Sequence, residues 1–168
     1  NGTMAHVALI WARDENNDVK GFLVDTNTKG FSSNPVQRKL SLRVSDTAEL
    51  VLDNVRVHKS FMLPGVTGLK GPLSCLTQAR YGIAWGALGA LEAVYSEALE
   101  FAKTRITFGE AIASRQLVQV KLAEMLSNHT KGLLLAWRLG ILKDIGRITF
   151  SQVSLAKRDN VRAALSGA

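Results

Sequence analysis

The chain has 168 residues, of which 46% are hydrophobic and 21% charged, a composition that excludes a disordered segment and supports a buried core. Its single cysteine excludes an internal disulfide framework, and one cysteine with three scattered histidines argues against a metal centre. No apolar run approaches the roughly 20 residues of a membrane span, and most of the +7 net charge lies after residue 64, where 13 basic and 7 acidic residues leave +6.

The first part of the chain is predicted to form antiparallel β-structure, because short apolar or alternating runs are separated there by polar turns. The predicted strands lie at residues 7–12, 20–24, 36–44 and 48–57. The third strand alternates apolar and polar residues from Leu40 onward, which is typical of a half-buried strand. A polar loop is predicted to precede it and to extend to Pro35.

The second part is predicted to be helical, after a glycine-containing boundary at residues 61–71. Apolar residues spaced by three and four predict helices at about 72–104, 114–143 and 151–165. Gly146 is predicted to end the second helix. We therefore expect an α+β fold, in which an antiparallel β module at residues 1–64 precedes a helical bundle at residues 65–168.

Two arginines of the helical part are candidates for anion binding. Arg80 stands among apolar and small residues, so it needs an ion-pair partner, an exit to solvent, or the phosphate or carboxylate of a ligand. Arg105 can equally complete the dipole at a helix end that Gly109 caps. The two arginines are about 37 Å apart along one straight helix at 1.5 Å per residue. They therefore cannot bind one phosphate group within one subunit.

The first helix also carries glycines at positions 82, 86 and 89, which give it a smooth face. Two interpretations stay open, since either close helix packing or a flat ligand accounts for such a face. Three glutamates of the same helix follow ordinary surface spacing and are predicted to be solvated: Glu92, Glu97 and Glu100.

The basic excess of the second part suits nucleic acid, a lipid surface or a phosphate-bearing small molecule. Its lysines and arginines are spread thinly over residues 70–162, adjacent only at Lys157-Arg158, and they are not interleaved with aromatic residues. Nucleic acid is therefore the weakest of these interpretations, and we expect no nucleic-acid partner.

Several motifs resemble those of the acyl-CoA dehydrogenase family. The motifs are the stretch 80–89 (RYGIAWGALG), Arg105-x-x-Phe108-Gly109, and Gln116 followed by Leu122-Ala123-Glu124-Met125. Within the family, the stretch 71–86 looks most like the glutaryl-CoA dehydrogenase branch, and residues 39–43 and 55–57 are similar to the middle β domain of that branch. The resemblance covers nearly the whole chain.

The resemblance implies a flavoprotein, usually a homotetramer, with a helical domain, a β middle domain and a helical C-terminal domain of the four-helix-bundle type. Residues 1–64 would be part of the middle domain and residues 65–168 part of the C-terminal domain. FAD would take a hydride from the β-carbon of an acyl-CoA while a glutamate removes the α-proton, and electrons would pass to an electron-transfer flavoprotein. In the glutaryl-CoA branch, decarboxylation to crotonyl-CoA would follow. The implied compartment is the bacterial cytoplasm or the mitochondrial matrix.

The same motifs imply two sets of binding residues. The substrate set, at the start of the first helix, comprises Leu73, Ser74, Thr77, Gln78 and Arg80. The cofactor set comprises Arg105, Phe108 and Gln116, which would contact an FAD bound mainly by a neighbouring subunit.

Two parts of the family pattern do not occur in the sequence. A flavin-contacting Trp-x-Thr/Ser stretch would follow Thr3, and a catalytic glutamate in a Tyr-Glu-Gly-Thr stretch would follow Ala168. We therefore predict no catalytic residue and no metal ligand among these 168 residues. Two alternatives stay open: an enzyme of the same family for another short or branched acyl-CoA, and a non-catalytic helical assembly module.

Overall fold

The chain begins with an antiparallel hairpin. In the computed structural model, which describes residues 1–168, strand β1 (Val7–Arg13) pairs with β2 (Val19–Asp25), with Val7 opposite Asp25. The carboxylate of Asp14 closes the turn between them, because it accepts the backbone N–H groups of Asn16 and Asp18 at 3.0 and 2.9 Å. Both strands lie within one residue of the predicted ranges and are confirmed.

The third predicted strand is wrong. Strand β3 covers Phe31–Pro35, inside the predicted polar loop, and pairs with β4 (Ala48–Leu52). The alternating segment 36–44 forms no strand: Leu40 and Val44 are fully exposed, and Leu42 has a left-handed φ of 48° that an extended strand does not allow. The fourth strand is shorter than the predicted range 48–57.

One lysine and one aspartate organise the loop between β3 and β4. The Lys39 ammonium donates to the carbonyl oxygens of Leu42 and Ser45 and to the hydroxyl of Thr47. The Asp46 carboxylate accepts the backbone N–H and the hydroxyl of Thr3, each at 2.9 Å. These hydrogen bonds favour the ionised form and lower the pKa of Asp46 below its usual value.

Three long helices make up most of the remaining chain, as predicted. They are α1 (Lys70–Thr104), α2 (Gln116–Asp144) and α3 (Phe150–Gly167). Gly146 has a φ of 68° just after α2, so its predicted role at the end of that helix is confirmed. Thr149 starts α3 through a capping box with Gln152.

A short hairpin lies between α1 and α2 and was not predicted. Strand β5 (Ile106–Thr107) pairs with β6 (Glu110–Ala111), and Phe108 and Gly109 form the two-residue turn. Helix α1 ends at Thr104, before this hairpin. Gly109 is therefore a turn residue, and the interpretation of Gly109 as a helix cap is wrong.

The chain divides into two units, residues 1–74 and 75–168. In the second unit, all three helices supply the core, where Ala84, Leu139 and Ala156 are buried against one another. Small antiparallel sheets followed by three long helices confirm the α+β prediction. None of these helices is both long and apolar enough to cross a membrane.

Candidate functional site

The residues of the predicted substrate set lie on the first three turns of α1. Leu73, Thr77 and Arg80 follow one another at intervals of four and three residues, so they share one face of the helix. Gln78 is exposed, and Ser74 is exposed with its hydroxyl donating to the Gly71 carbonyl at 2.7 Å. The structure thus presents these positions together along one short helical segment.

Arg80 is a half-buried cation without an anionic partner in the chain. The ion pairs of the structure are Arg115–Glu110, His129–Glu92 and Arg158–Asp159. An internal ion pair, one of the interpretations open from the sequence, is therefore not formed. Because Arg80 is only partly removed from water, an exit to solvent and the phosphate or carboxylate of a ligand both stay open as interpretations.

The neighbour of Arg80, Tyr81, anchors this turn of α1 to α2. The Tyr81 ring packs against the buried cluster of Ala84 and Leu139. The Lys143 ammonium, near the end of α2, lies 5.7 Å from the centroid of that ring, a cation–π contact. The helix turn that carries Arg80 is thereby held in a defined orientation.

A small cleft of about 240 Å³ lies at the start of α1, in the first unit. Its lining residues are Gly65, Val66, Thr67, Lys70, Gly71 and Ser74. The Lys20 ammonium donates to the Thr67 hydroxyl at 2.8 Å. Only Ser74 of this group was singled out from the sequence, since an isolated lysine and threonine in a loop carry no motif.

Phe108 is the most unusual residue of the β5–β6 hairpin. Its φ of 53° is left-handed, as is the φ of 83° at Gly109, so the pair forms the kind of tight turn in which Asn-Gly is usual. A left-handed conformation costs an L-residue about 1–2 kcal/mol. The Phe108 side chain gains no burial in return, since it is 98% exposed. A strained, exposed aromatic side chain is a candidate ligand contact.

Arg105 and Gln116 lie on either side of this turn. The backbone carbonyl oxygen of Arg105 accepts the N–H of Ile112 at 2.9 Å, which ties the base of the hairpin to the segment before α2. Its guanidinium is exposed and takes part in no ion pair. Gln116 is the first residue of α2 and is exposed. The predicted cofactor set is thus brought together around one hairpin and one helix start.

The two sets lie at opposite ends of α1, and the cofactor set lies beyond its last residue, Thr104. The separation of Arg80 and Arg105 is about 37 Å at 1.5 Å per residue. One phosphate group cannot bridge it. The two candidate sets are therefore separate positions on one subunit, and whether either binds an anion stays a prediction.

The smooth face of α1 has no packing partner within the chain. A Cβ atom placed at Gly82, Gly86 or Gly89 would meet nothing within 4 Å. Close packing of these glycines inside the chain is therefore excluded. The three glutamates of α1 are exposed, as predicted, and Glu92 lies 3.9 Å from His129 on α2. No group of three or more His, Cys, Asp or Glu side chains is arranged to hold a metal ion.

The chain is similar to known proteins both in sequence and in structure. A family model described as "Acyl-CoA dehydrogenase, C-terminal domain" matches residues 67–166. A crystal structure of glutaryl-CoA dehydrogenase from Mycobacterium smegmatis superposes with a TM-score of 0.95 at 48% identity, over 99% of this chain and 43% of that chain. A second structure of glutaryl-CoA dehydrogenase from that organism, in complex with FADH2, superposes with a TM-score of 0.95 at 46% identity, also over 99% of this chain and 43% of that chain.

Among curated proteins, the human short-chain specific acyl-CoA dehydrogenase of mitochondria is 31% identical over 94% of this chain and 41% of its own length. The chain therefore spans about two fifths of the relatives that it matches.

Proposed function

This chain belongs to the acyl-CoA dehydrogenase family, and from that premise we propose that it is part of an FAD-dependent dehydrogenase of a short acyl-CoA, with glutaryl-CoA as the substrate. The reaction is α,β-dehydrogenation, followed for glutaryl-CoA by loss of carbon dioxide to give crotonyl-CoA. Residues 1–64 belong to the β middle domain of that enzyme and residues 65–168 to its helical C-terminal domain.

One observation carries the choice of glutaryl-CoA. Over nearly the whole chain, identity to the glutaryl-CoA dehydrogenase of M. smegmatis is 48%, against 31% to the human short-chain enzyme. Residues that line a substrate pocket change with the substrate, whereas the fold does not. The higher identity therefore supports the glutaryl-CoA branch.

The start of α1 is the proposed acyl-CoA site. Arg80 provides a planar, permanently charged donor without a competing carboxylate, which suits a phosphate group of coenzyme A or a carboxylate. Leu73 and Thr77 share the helix face of Arg80 and would lie along the bound substrate. Ser74 and Gln78 add polar groups on the adjoining face.

The β5–β6 hairpin and the start of α2 form the proposed FAD contact. The residues fit such a group: Arg105 offers an unpaired guanidinium, and Phe108 offers an aromatic face that nothing else in the chain covers. Gln116 adds an amide at the first turn of α2. FAD, when bound, would accept the hydride from the substrate. The role of these residues is to hold and orient the cofactor.

The proposal extends to assembly and partners. Because the two sets of residues lie at opposite ends of α1, an FAD held at the hairpin belongs to a different active site from the substrate held at Arg80. This separation supports an oligomer, and we propose the homotetramer usual in the family. The proposed electron acceptor is an electron-transfer flavoprotein, and the compartment is the bacterial cytoplasm or the mitochondrial matrix.

The test is purification of the protein expressed from its complete reading frame, followed by a substrate panel. We expect a yellow protein with bound FAD that reduces an artificial electron acceptor with glutaryl-CoA and releases carbon dioxide. A colourless protein that does not bind added FAD would instead favour a non-catalytic helical assembly module.

A second candidate is dehydrogenation of another short or branched acyl-CoA. The identity to short-chain specific enzymes favours it. The same panel separates the two candidates: a higher kcat/KM for butyryl-CoA or a branched acyl-CoA than for glutaryl-CoA, without release of carbon dioxide, would replace the glutaryl-CoA proposal.

A further inference from the structure

The turn of the β5–β6 hairpin is held by side chains that lie outside the predicted cofactor set. Thr107 and Glu110 are the paired residues that flank the Phe108–Gly109 turn. The Arg115 guanidinium contacts both of them. Its Nη2 atom lies 3.5 Å from the Thr107 carbonyl oxygen and 3.8 Å from Glu110 Oε2. One arginine thus spans both ends of a strained turn.

A serine strengthens this arrangement. The Ser114 hydroxyl lies 3.0 Å from Glu110 Oε2 and 2.8 Å from the Ala111 carbonyl oxygen, so it donates its proton to one of these acceptors at a time. The Glu110 carboxylate therefore has a hydrogen-bonding hydroxyl on one side and a guanidinium on the other. We call Glu110, Ser114 and Arg115 the hairpin clamp.

The clamp connects two members of the cofactor set. Arg115 is the N-cap residue of α2 and directly precedes Gln116. Through Thr107 and Glu110, the same arginine restrains the turn that carries Phe108. Movement of the hairpin relative to the start of α2 would break these contacts, so the clamp restrains the backbone at Phe108 relative to the backbone at Gln116.

We infer that Glu110 and Arg115 are positioning residues, which set FAD affinity by fixing the hairpin against α2 without touching the cofactor. This inference rests on the proposed function, because it takes the hairpin as the FAD contact. The Arg115 and Glu110 side chains are 46% and 62% exposed, so water and salt screen their attraction. The expected contribution is correspondingly modest.

The test compares Glu110→Gln with wild type in the protein expressed from its complete reading frame. The glutamine retains an acceptor for Ser114 but loses the charge that attracts Arg115. We expect FAD to bind about two- to five-fold more weakly, as for loss of an exposed ion pair, measured by flavin fluorescence titration of the apoprotein. In 1 M NaCl the difference should shrink, because the Debye length falls to about 3 Å.

The matched control is Asp159→Asn, which breaks the exposed Arg158–Asp159 pair of α3. The side chains of this pair are 62% and 45% exposed, close to those of the clamp. Both variants should leave the Tm of the apoprotein near that of wild type, and the control should leave FAD affinity unchanged.

Three outcomes would overturn the hairpin clamp as a determinant of FAD affinity. A wild-type protein that binds FAD, together with a Glu110→Gln variant of equal affinity, would overturn the clamp and leave the proposed function intact. Equal weakening in the Asp159→Asn control would overturn it too, because a general effect of surface charge would then suffice. A wild-type protein that binds no FAD would overturn both this inference and the proposed function.

Discussion

At the scale of single residues, Arg80 and Arg105 share one property that the sequence alone did not reveal. Neither guanidinium has an ion-pair partner in the chain, although Arg80 is half-buried on a helix of mostly apolar and small residues. Their residue type and spacing made them candidates for anion binding. Only the positions of all the carboxylates could show that both remain available for a ligand.

The two arginines should act independently, because they lie about 37 Å apart along α1. Arg80→Ala should weaken binding of the acyl-CoA by about 10- to 100-fold, the usual effect of losing a hydrogen bond to a charged group, and leave FAD affinity unchanged. Arg105→Ala should weaken FAD binding to a similar degree. Isothermal titration with each ligand measures both effects.

Arg162→Ala serves as the control, since Arg162 is an exposed residue of α3 outside every ion pair of the structure. It should change neither affinity. An Arg80→Ala variant with wild-type affinity for the acyl-CoA would assign Arg80 a structural role. An Arg105→Ala variant that loses stability but binds FAD normally would do the same for Arg105.

At the scale of elements, hydrophobic periodicity identified the three helices and misplaced one strand. A helix of 18 residues or more repeats its apolar face several times, so the signal survives local exceptions. The alternation at residues 40–44 is short, and the Lys39 hydrogen bonds hold that segment in a loop. The observed third strand, β3, contains Ser32, Ser33 and Asn34, and these polar residues give no hydrophobic pattern from which a strand could be predicted. Its position is set by its pairing with β4.

Helix packing in the second unit depends on one glycine of α2. A Cβ atom at Gly132 would overlap Leu88 Cδ2 of α1 and lie 2.8 Å from Asn160 Oδ1 of α3. The Asn160 amide, buried to 2% exposure, donates to the Ala84 carbonyl oxygen at 2.9 Å. The three helices therefore meet at a position where a Cβ atom would have to displace the Leu88 and Asn160 side chains.

Gly132→Ala should accordingly lower the free energy of unfolding by about 1–3 kcal/mol, since overpacking displaces neighbouring side chains. Gly82→Ala is the matched control, because a Cβ at Gly82 of α1 meets nothing within 4 Å. Alanine favours a helix over glycine, so this variant should gain up to about 1 kcal/mol. Urea unfolding of both variants measures the difference, and an equally stable Gly132→Ala variant would contradict the packing described.

At the scale of the whole molecule, the chain exposes more large apolar side chains than a stable monomer usually does. Examples on the helices are Phe101, Leu117, Leu134, Trp137 and Phe150, each more than half exposed. Small polar or charged groups do not cover them. These surfaces suit contact with further protein, as in the proposed oligomer.

A polypeptide of these 168 residues made by itself should therefore self-associate or require partner chains to stay in solution. Burial of apolar surface contributes about 25 cal/mol per Å² in favour of association, and the loss of translational and rotational freedom opposes it. Sedimentation velocity over a range of protein concentrations measures this behaviour. A monomer at all concentrations, with cooperative two-state unfolding, would contradict the prediction.

The sequence by itself determined the fold class, the three helices, the β1–β2 hairpin and the family, because periodicity and short motifs are properties of neighbouring residues. The third strand, the β5–β6 hairpin and the hairpin clamp were decided only by the tertiary structure. Arg115 carries no motif, and its significance arises from contacts to Thr107 and Glu110 across a turn. The left-handed backbone conformation of Phe108 could not be predicted from the sequence either, because phenylalanine normally avoids that conformation.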